Sequence, residues 1–189
     1  FLSHDIGFMR DIMHVRLFII PIIITYFITF FGVMRSKWMK ELQNYYTFLL
    51  PDSKIQKTWN ATKIEHIRAF VDTMLIAIIG GAALDLSPLH ILLTGLVGVS
   101  VNASRIYINM MVQTIISPAI GDFKIFVQFI DMFLMLISTA ASVFVAVVSM
   151  VFFNNTEAAF LGMIITSCMM AIIAFFLSSL AFEKMEVVE

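Results

Sequence analysis

The chain has 189 residues, of which 60% are hydrophobic and 13% charged, with a mean hydropathy of +0.96. This composition excludes an ordinary soluble domain and points to a membrane protein. A formal net charge of −1 gives no basic excess for nucleic acid, and one cysteine, Cys168 in an apolar run, excludes a disulfide framework or a thiolate metal cluster.

Taken in order, residues 1–16 mix charged side chains such as Asp5, Arg10 and Arg16 with Leu2, Ile6 and Phe8, the pattern of a short interfacial, extracytoplasmic segment. The chain starts at Phe1 with neither a signal peptide nor a tag, so it is expected to be part of a longer polypeptide. His4 and His14 lack the partner cluster that metal ligation requires and read as headgroup-level side chains. Residues 17–34 carry no charge and would rise about 27 Å as a helix, enough to span a bilayer. Pro21 lies near the start of this span, where a missing N–H is best tolerated.

Residues 35–70 are the one sizeable polar island and hold seven of the twelve Lys and Arg: Arg35, Lys37, Lys40, Lys54, Lys57, Lys63 and Arg68. Trp38, Leu42, Tyr45 and Leu49 recur at helical spacing and predict an amphipathic helix, which Pro51 ends. Ser53 followed by Gln56 has capping-box spacing and predicts a second helix from Lys54, with Ile55, Trp59, Ile67 and Phe70 leading into the next span.

That second span is expected over 69–86, with Asp72, Gly80-Gly81 and Asp85 along it, and Ser87-Pro88 turns the chain back. A third span over 91–112 places Gly95, Gly98, Asn102, Arg105, Asn109 and Gln113 in one small-to-polar stripe, which should face protein or water. After the break from Ser117-Pro118 to Gly121-Asp122, residues 123–153 exceed one span's length and imply tilt. Here Lys124, Gln128, Asp131, Met135, Ser138 and Ser142 are expected to share a face. A polar turn at Asn154 to Glu157 precedes a fifth span over 158–182, in which Cys168 reads as a buried thiol.

The fold class is therefore all-α: a polytopic helical membrane bundle, one transmembrane domain over 1–189, with about five spans and amphipathic cytoplasmic helices in the loop 35–69. All Lys and Arg except Arg10 and Arg16 fall on one side, and by the positive-inside rule loop 35–69 and the C-terminus are cytoplasmic.

None of the eight glycines is followed by lysine, so the phosphate-cradling loop is missing, as are the His-Glu-x2-His and Gly-x-Ser-x-Gly patterns. The chain is expected to be no enzyme and to bind no cofactor of its own. Arg105 and Asp131 lie within consecutive antiparallel spans and are expected to pair, because an unpaired charge at that depth is costly. With Asn102, Asn109 and Gln128 they read either as a structural set that fixes helix register or as part of a translocation path.

Glu41-Leu42, then Leu49-Leu50-Pro51-Asp52-Ser53 and Lys63, with Tyr45 and Tyr46 before them, resemble the cytoplasmic loop of bacterial ABC exporter permeases. The resemblance covers residues 39–70 in motif and the rest in helix order. It implies a coupling helix that docks on a separate ABC ATPase subunit through Leu49, Leu50, Pro51, Asp52, Ser53, Lys54 and Lys57. It also implies that the five spans correspond to helices two to six of a permease in the bacterial cytoplasmic membrane, working with a second copy or homologue. ATP and Mg would then sit on the ATPase, and alternating access would move the substrate. Two other classes stay open: an ion channel or ion-coupled carrier using the stripes around Arg105 and Asp131, and a membrane scaffold that transports nothing.

Overall fold

In the computed structural model, residues 53–116 and 124–186 are described together with Pro21, Ile23 and Ile24, the side chains of Lys124 and of 181–186 excepted. Ser53 opens the first helix, α1 (Lys54–Ala83), through a capping box: its hydroxyl accepts from the Gln56 N–H at 3.4 Å, and its own N–H donates to Gln56 Oε1 at 3.1 Å. The reciprocal pair satisfies donors that a helix start would leave orphaned. The expected start at Lys54 is observed, and the helix continues into the span as one rod.

The rod ends in a Schellman turn. The Leu86 N–H donates to the Gly81 carbonyl and the Asp85 N–H to that of Ala82, with Asp85 in the left-handed region at φ 51°. Ser87 then caps α2 (Pro88–Met111), whose first position is the Pro88 that needs no donor there. The helix runs on into a π-turn at Val112–Ile116. α3 (Lys124–Phe153) and α4 (Thr156–Glu186) follow, joined by a short turn in which Asn154 adopts φ 47° and Asn155 Oδ1 accepts from the Glu157 N–H. The described residues contain no strand.

Among the described residues, four helices are long and apolar enough to cross a membrane. Of the five expected spans, the one over 17–34 falls outside the described residues apart from Pro21, Ile23 and Ile24, as do the surface helix over 38–49 and the break near Pro118. The observed helices are longer than the expected spans, because hydropathy marks the apolar middle and caps mark the ends.

α2 is the hub. Its apolar window is 67% buried, against 22–28% for the other three, and it packs on α1 at one side and on α4 at the other, while α3 lies against α4 and the lower part of α2. Two apolar layers flank a polar middle. Leu93, Val97, Val101, Ala146, Phe160 and Met163 fill the end near Asp85, and Ile108, Met110, Val127, Met135, Ala171 and Ala174 fill the end near Ser53.

The inward face of α1 is small and polar: Thr58, Ala61, Thr62, Ala69, Thr73, Ala77 and Gly81 are buried, while Ile55, Trp59, Ile67, Phe70, Ile78 and Ile79 are exposed. The expected apolar face is thus the outward one. Where hydrocarbon surrounds a helix, large side chains gain nothing by turning inward, and small ones let backbones approach. The same rule corrects Cys168: it is exposed, on the outward face of α4, between the inward Ser167 and Ala171.

Helices approach closely at Gly98, where an added Cβ would meet Ile24 Cγ2 at 3.0 Å and the β-branched Thr73 Cβ at 3.1 Å. At Gly95 it would meet the flexible end of Met74 instead. Gly98→Val should therefore cost about 2 kcal/mol through overpacking against a β-branched wall, whereas Gly95→Ala should be neutral or gain, since Ala is favoured over Gly in helices by about 1 kcal/mol. Thermal unfolding of the two variants in detergent micelles checks this, with only Gly98→Val lowering the midpoint.

Candidate functional site

The polar middle of the bundle assembles from four helices. On α2 the expected stripe is inward: Gly95, Gly98, Asn102 and Asn109 are buried, and Arg105 and Gln113 are partly so. On α3 the inward stripe runs Val127, Asp131, Met135, Ser138, Ser142 and Ala146. Gln128 lies one position off that line and is exposed, so it leaves the candidate set. A helical face advances by 100° per residue, so a neighbour of an inward Val127 must turn away.

Asp131 is fully buried, at 0% exposure. Its Oδ2 accepts a 2.6 Å hydrogen bond from Asn109 Nδ2, and its Oδ1 has no partner. The expected direct pair with Arg105 does not form: the Arg105 Nε donates at 2.9 Å to Asn102 Oδ1, three residues back on its own helix. Asn109 and Asn102 thus do what an ion pair was expected to do: each supplies the neutral partner for one charge.

Beside Arg105, towards the Asp85 end, lies a cavity of about 10 Å³, room for about one water molecule. It is lined on the polar side by Ser104, Arg105, Ser138, Thr139, Ser142 and Ser167. Two hydroxyl pairs close it, Ser104 with Ser138 and Ser142 with Ser167, each at 3.0 Å, so α2 is tied to α3 and α3 to α4. Other hydroxyls bond their own helix, Thr62 donating to the Thr58 carbonyl and Thr73 to that of Ala69, and Ser142 also donates to that of Ser138. This satisfies a polar group where the surroundings offer no water.

Towards the Ser53 end an aromatic series crosses the bundle. Trp59 stacks on His66 at 5.5 Å, His66 Nε2 and the Tyr107 hydroxyl share a 2.8 Å hydrogen bond, and Tyr107 packs edge-on against Phe175 at 5.0 Å. Sequence reasoning missed His66, Tyr107, Ser104 and Ser167. A signal existed for the last two, since hydroxyls recur on three otherwise apolar spans, and for His66 as a titratable residue at helical spacing from Trp59.

Of the expected docking residues, Leu49, Leu50, Pro51 and Asp52 lie outside the described residues. Ser53 is the exposed helix cap and Lys54 is partly buried. Lys57 is 7% exposed, on the inward face beside Thr58 and Ala61.

The buried carboxylate and its amide donor give a double-mutant test. Asn109→Leu strips Asp131 Oδ2 of its hydrogen bond and should cost about 2–3 kcal/mol. Adding Asp131→Leu should return most of that loss, because two apolar partners leave no unmet polar group. Unfolding of the single and double variants in micelles measures both steps.

A family model described as "Putative ABC exporter" matches residues 1–186. No curated protein and no solved structure matches the chain.

Proposed function

The chain belongs to this ABC exporter family, and we propose that it is the membrane-spanning permease subunit of an ATP-driven exporter, moving its substrate by alternating access. The observation that carries this reading is the family match across nearly the whole chain. On this reading the chain has no nucleotide site and is no enzyme. ATP and Mg are held by a separate ATPase subunit, and a second permease copy or homologue completes the pathway in a bacterial cytoplasmic membrane.

One feature of the fold supports the division of labour. α1 begins directly after the stretch Leu49 to Asp52 and runs unbroken for 30 residues, about 45 Å, to the Asp85 turn. A load applied to the loop would therefore reach the far end of the bundle through one rod, whose start is pinned by the Ser53 and Gln56 cap. The docking element is assigned to Leu49, Leu50, Pro51, Asp52, Ser53 and Lys54, with Lys57 left out because it is buried. With loop 35–69 and the C-terminus cytoplasmic, the Ser53 end faces the motor.

Leu50→Asp combined with Asp52→Arg should abolish copurification of an ATPase and ATP-driven transport while leaving the unfolding midpoint of the bundle unchanged. Intact complexes that never contain an ATPase, or flux in proteoliposomes driven by an ion gradient with no ATPase present, would overturn the reading.

A further inference from the structure

Asp72 poses a problem of depth. From Asp72 to Ala83, the far end of α1, the helix rises about 17 Å, and the hydrocarbon of a bilayer is about 30 Å thick, so Asp72 lies near mid-membrane. It is exposed there, on the side of α1 turned away from the inward Thr73, Ala77 and Gly81. Among the described residues it is the one exposed carboxylate set away from a helix end, since Asp85 lies in a turn, Glu157 opens α4 and Asp131 is buried. A charge facing lipid at this depth is strongly disfavoured, and an aspartate is too short to reach the surface as a long side chain does.

Arg68 is exposed on the same face, one turn nearer Ser53 and about 6 Å away along the axis. No ion pair joins the two among the described residues, and an acid that follows its base along a helix is the less favoured order for one. Arg68, Asp72, Leu75, Ile79 and Ala82 follow one another at steps of four, three, four and three, all of them exposed, which is the spacing of a seam between two helices. We propose that this face of α1 is the contact with a second copy of the chain, related by a two-fold axis along the membrane normal, in which Arg68 of each copy pairs with Asp72 of the other.

A two-fold contact suits these residues because it is self-complementary: where Arg68 of one copy meets Asp72 of its partner, the reverse pair forms as well. Two parallel α1 helices with their seams facing set both carboxylates beside guanidinium groups, in charge-assisted hydrogen bonds that salt screens little away from water. Lipid tails offer Asp72 no donor. A partner of other sequence would have to supply a base at this depth, whereas a second copy brings its own Arg68. Ala82, at the far end of the seam, lets the two backbones close. The second copy is taken from the permease reading, and what is added is the surface that meets it.

Disulfide cross-linking in intact membranes tests the face. In a full chain whose exposed Cys168 is replaced by alanine, a cysteine is placed at Leu75 or Ile79 on the seam, or at Phe144 on the outward face of α3 as a control. Oxidation should link Leu75→Cys and Ile79→Cys chains into dimers and leave Phe144→Cys chains single. Seam cysteines that stay single, or that link no more than Phe144→Cys, would overturn the interface. For the charge pair, Arg68→Asp alone and Asp72→Arg alone should each lose the Ile79→Cys cross-link, and the two variants expressed together, with tags of different size, should recover it in the mixed dimer. Neither variant keeps opposite charges at the two positions of its own α1, so recovery can come only from pairing between copies, and its absence would overturn that pairing. An ATPase that copurifies while the seam fails to cross-link removes this interface and leaves the permease reading standing; a seam that cross-links in complexes never containing an ATPase does the reverse.

Discussion

Hydrocarbon offers a helix neither a hydrogen-bond partner nor any reward for hiding large apolar side chains, and the whole arrangement follows from that pair of facts. α1 shows it plainly: Ala69, Thr73, Ala77 and Gly81, four apart, form the inward face, and Ile67, Phe70, Ile78 and Ile79 turn out. Each threonine on the buried line returns its hydroxyl to its own backbone, as Thr73 does to the Ala69 carbonyl at 2.6 Å. What remains for contact between helices is close backbone approach, as at Gly98 against Thr73 and Ile24.

A bundle built on that rule has no apolar driving force to choose which helix lies in the centre, so polarity chooses. α2 carries Asn102, Arg105 and Asn109 on one stripe and Ser104 just beside it, and only a position surrounded by protein can satisfy all four. The central place of α2 and the stitching of its neighbours are one effect: Asn109 holds Asp131 of α3, Ser104 holds Ser138 of α3, and Ser142 of α3 holds Ser167 of α4. The apolar clusters packed around the seam, with Ile108, Met110, Val127 and Met135 directly about Asn109 and Asp131, make its unmet oxygen costly.

Much of this was legible in the sequence, and the failures share a cause. Length and hydropathy marked the spans, Ser53 with Gln56 and Ser87-Pro88 marked helix starts, and the α2 stripe from Gly95 to Gln113 marked its inward face, because caps and polar groups obey local rules. Rotation about the helix axis was misjudged wherever apolar residues were used to find the inside. On α1 the buried face is that of Thr58 and Thr62 and not that of Ile55 and Trp59, the α3 stripe passes through Val127 where the spacing put Gln128, and on α4 Ser167 is inside where Cys168 was expected. In α1 the four-residue recurrence of Ala and Thr carried the information that hydrophobicity did not. Charge alone points to a direct pair of Arg105 with Asp131, and it does not foresee that Asn102 and Asn109 each take up one of the two charges.

The seam also divides the bundle mechanically. α2, α3 and α4 are bound through buried side-chain pairs deep in the apolar layer, where exchanging a partner for water is not open to them. α1 meets α2 across small side chains and through the bond from His66 to Tyr107, near the end where α1 emerges from the polar island. Small faces give close packing without interlocking knobs, so a shift of α1 against α2 displaces few bulky groups. If the loop before Ser53 receives work from a nucleotide-driven partner, the bond from His66 to Tyr107 is a side-chain link between α1 and α2 that such a shift strains, while the pairs that join α2, α3 and α4 lie beyond it.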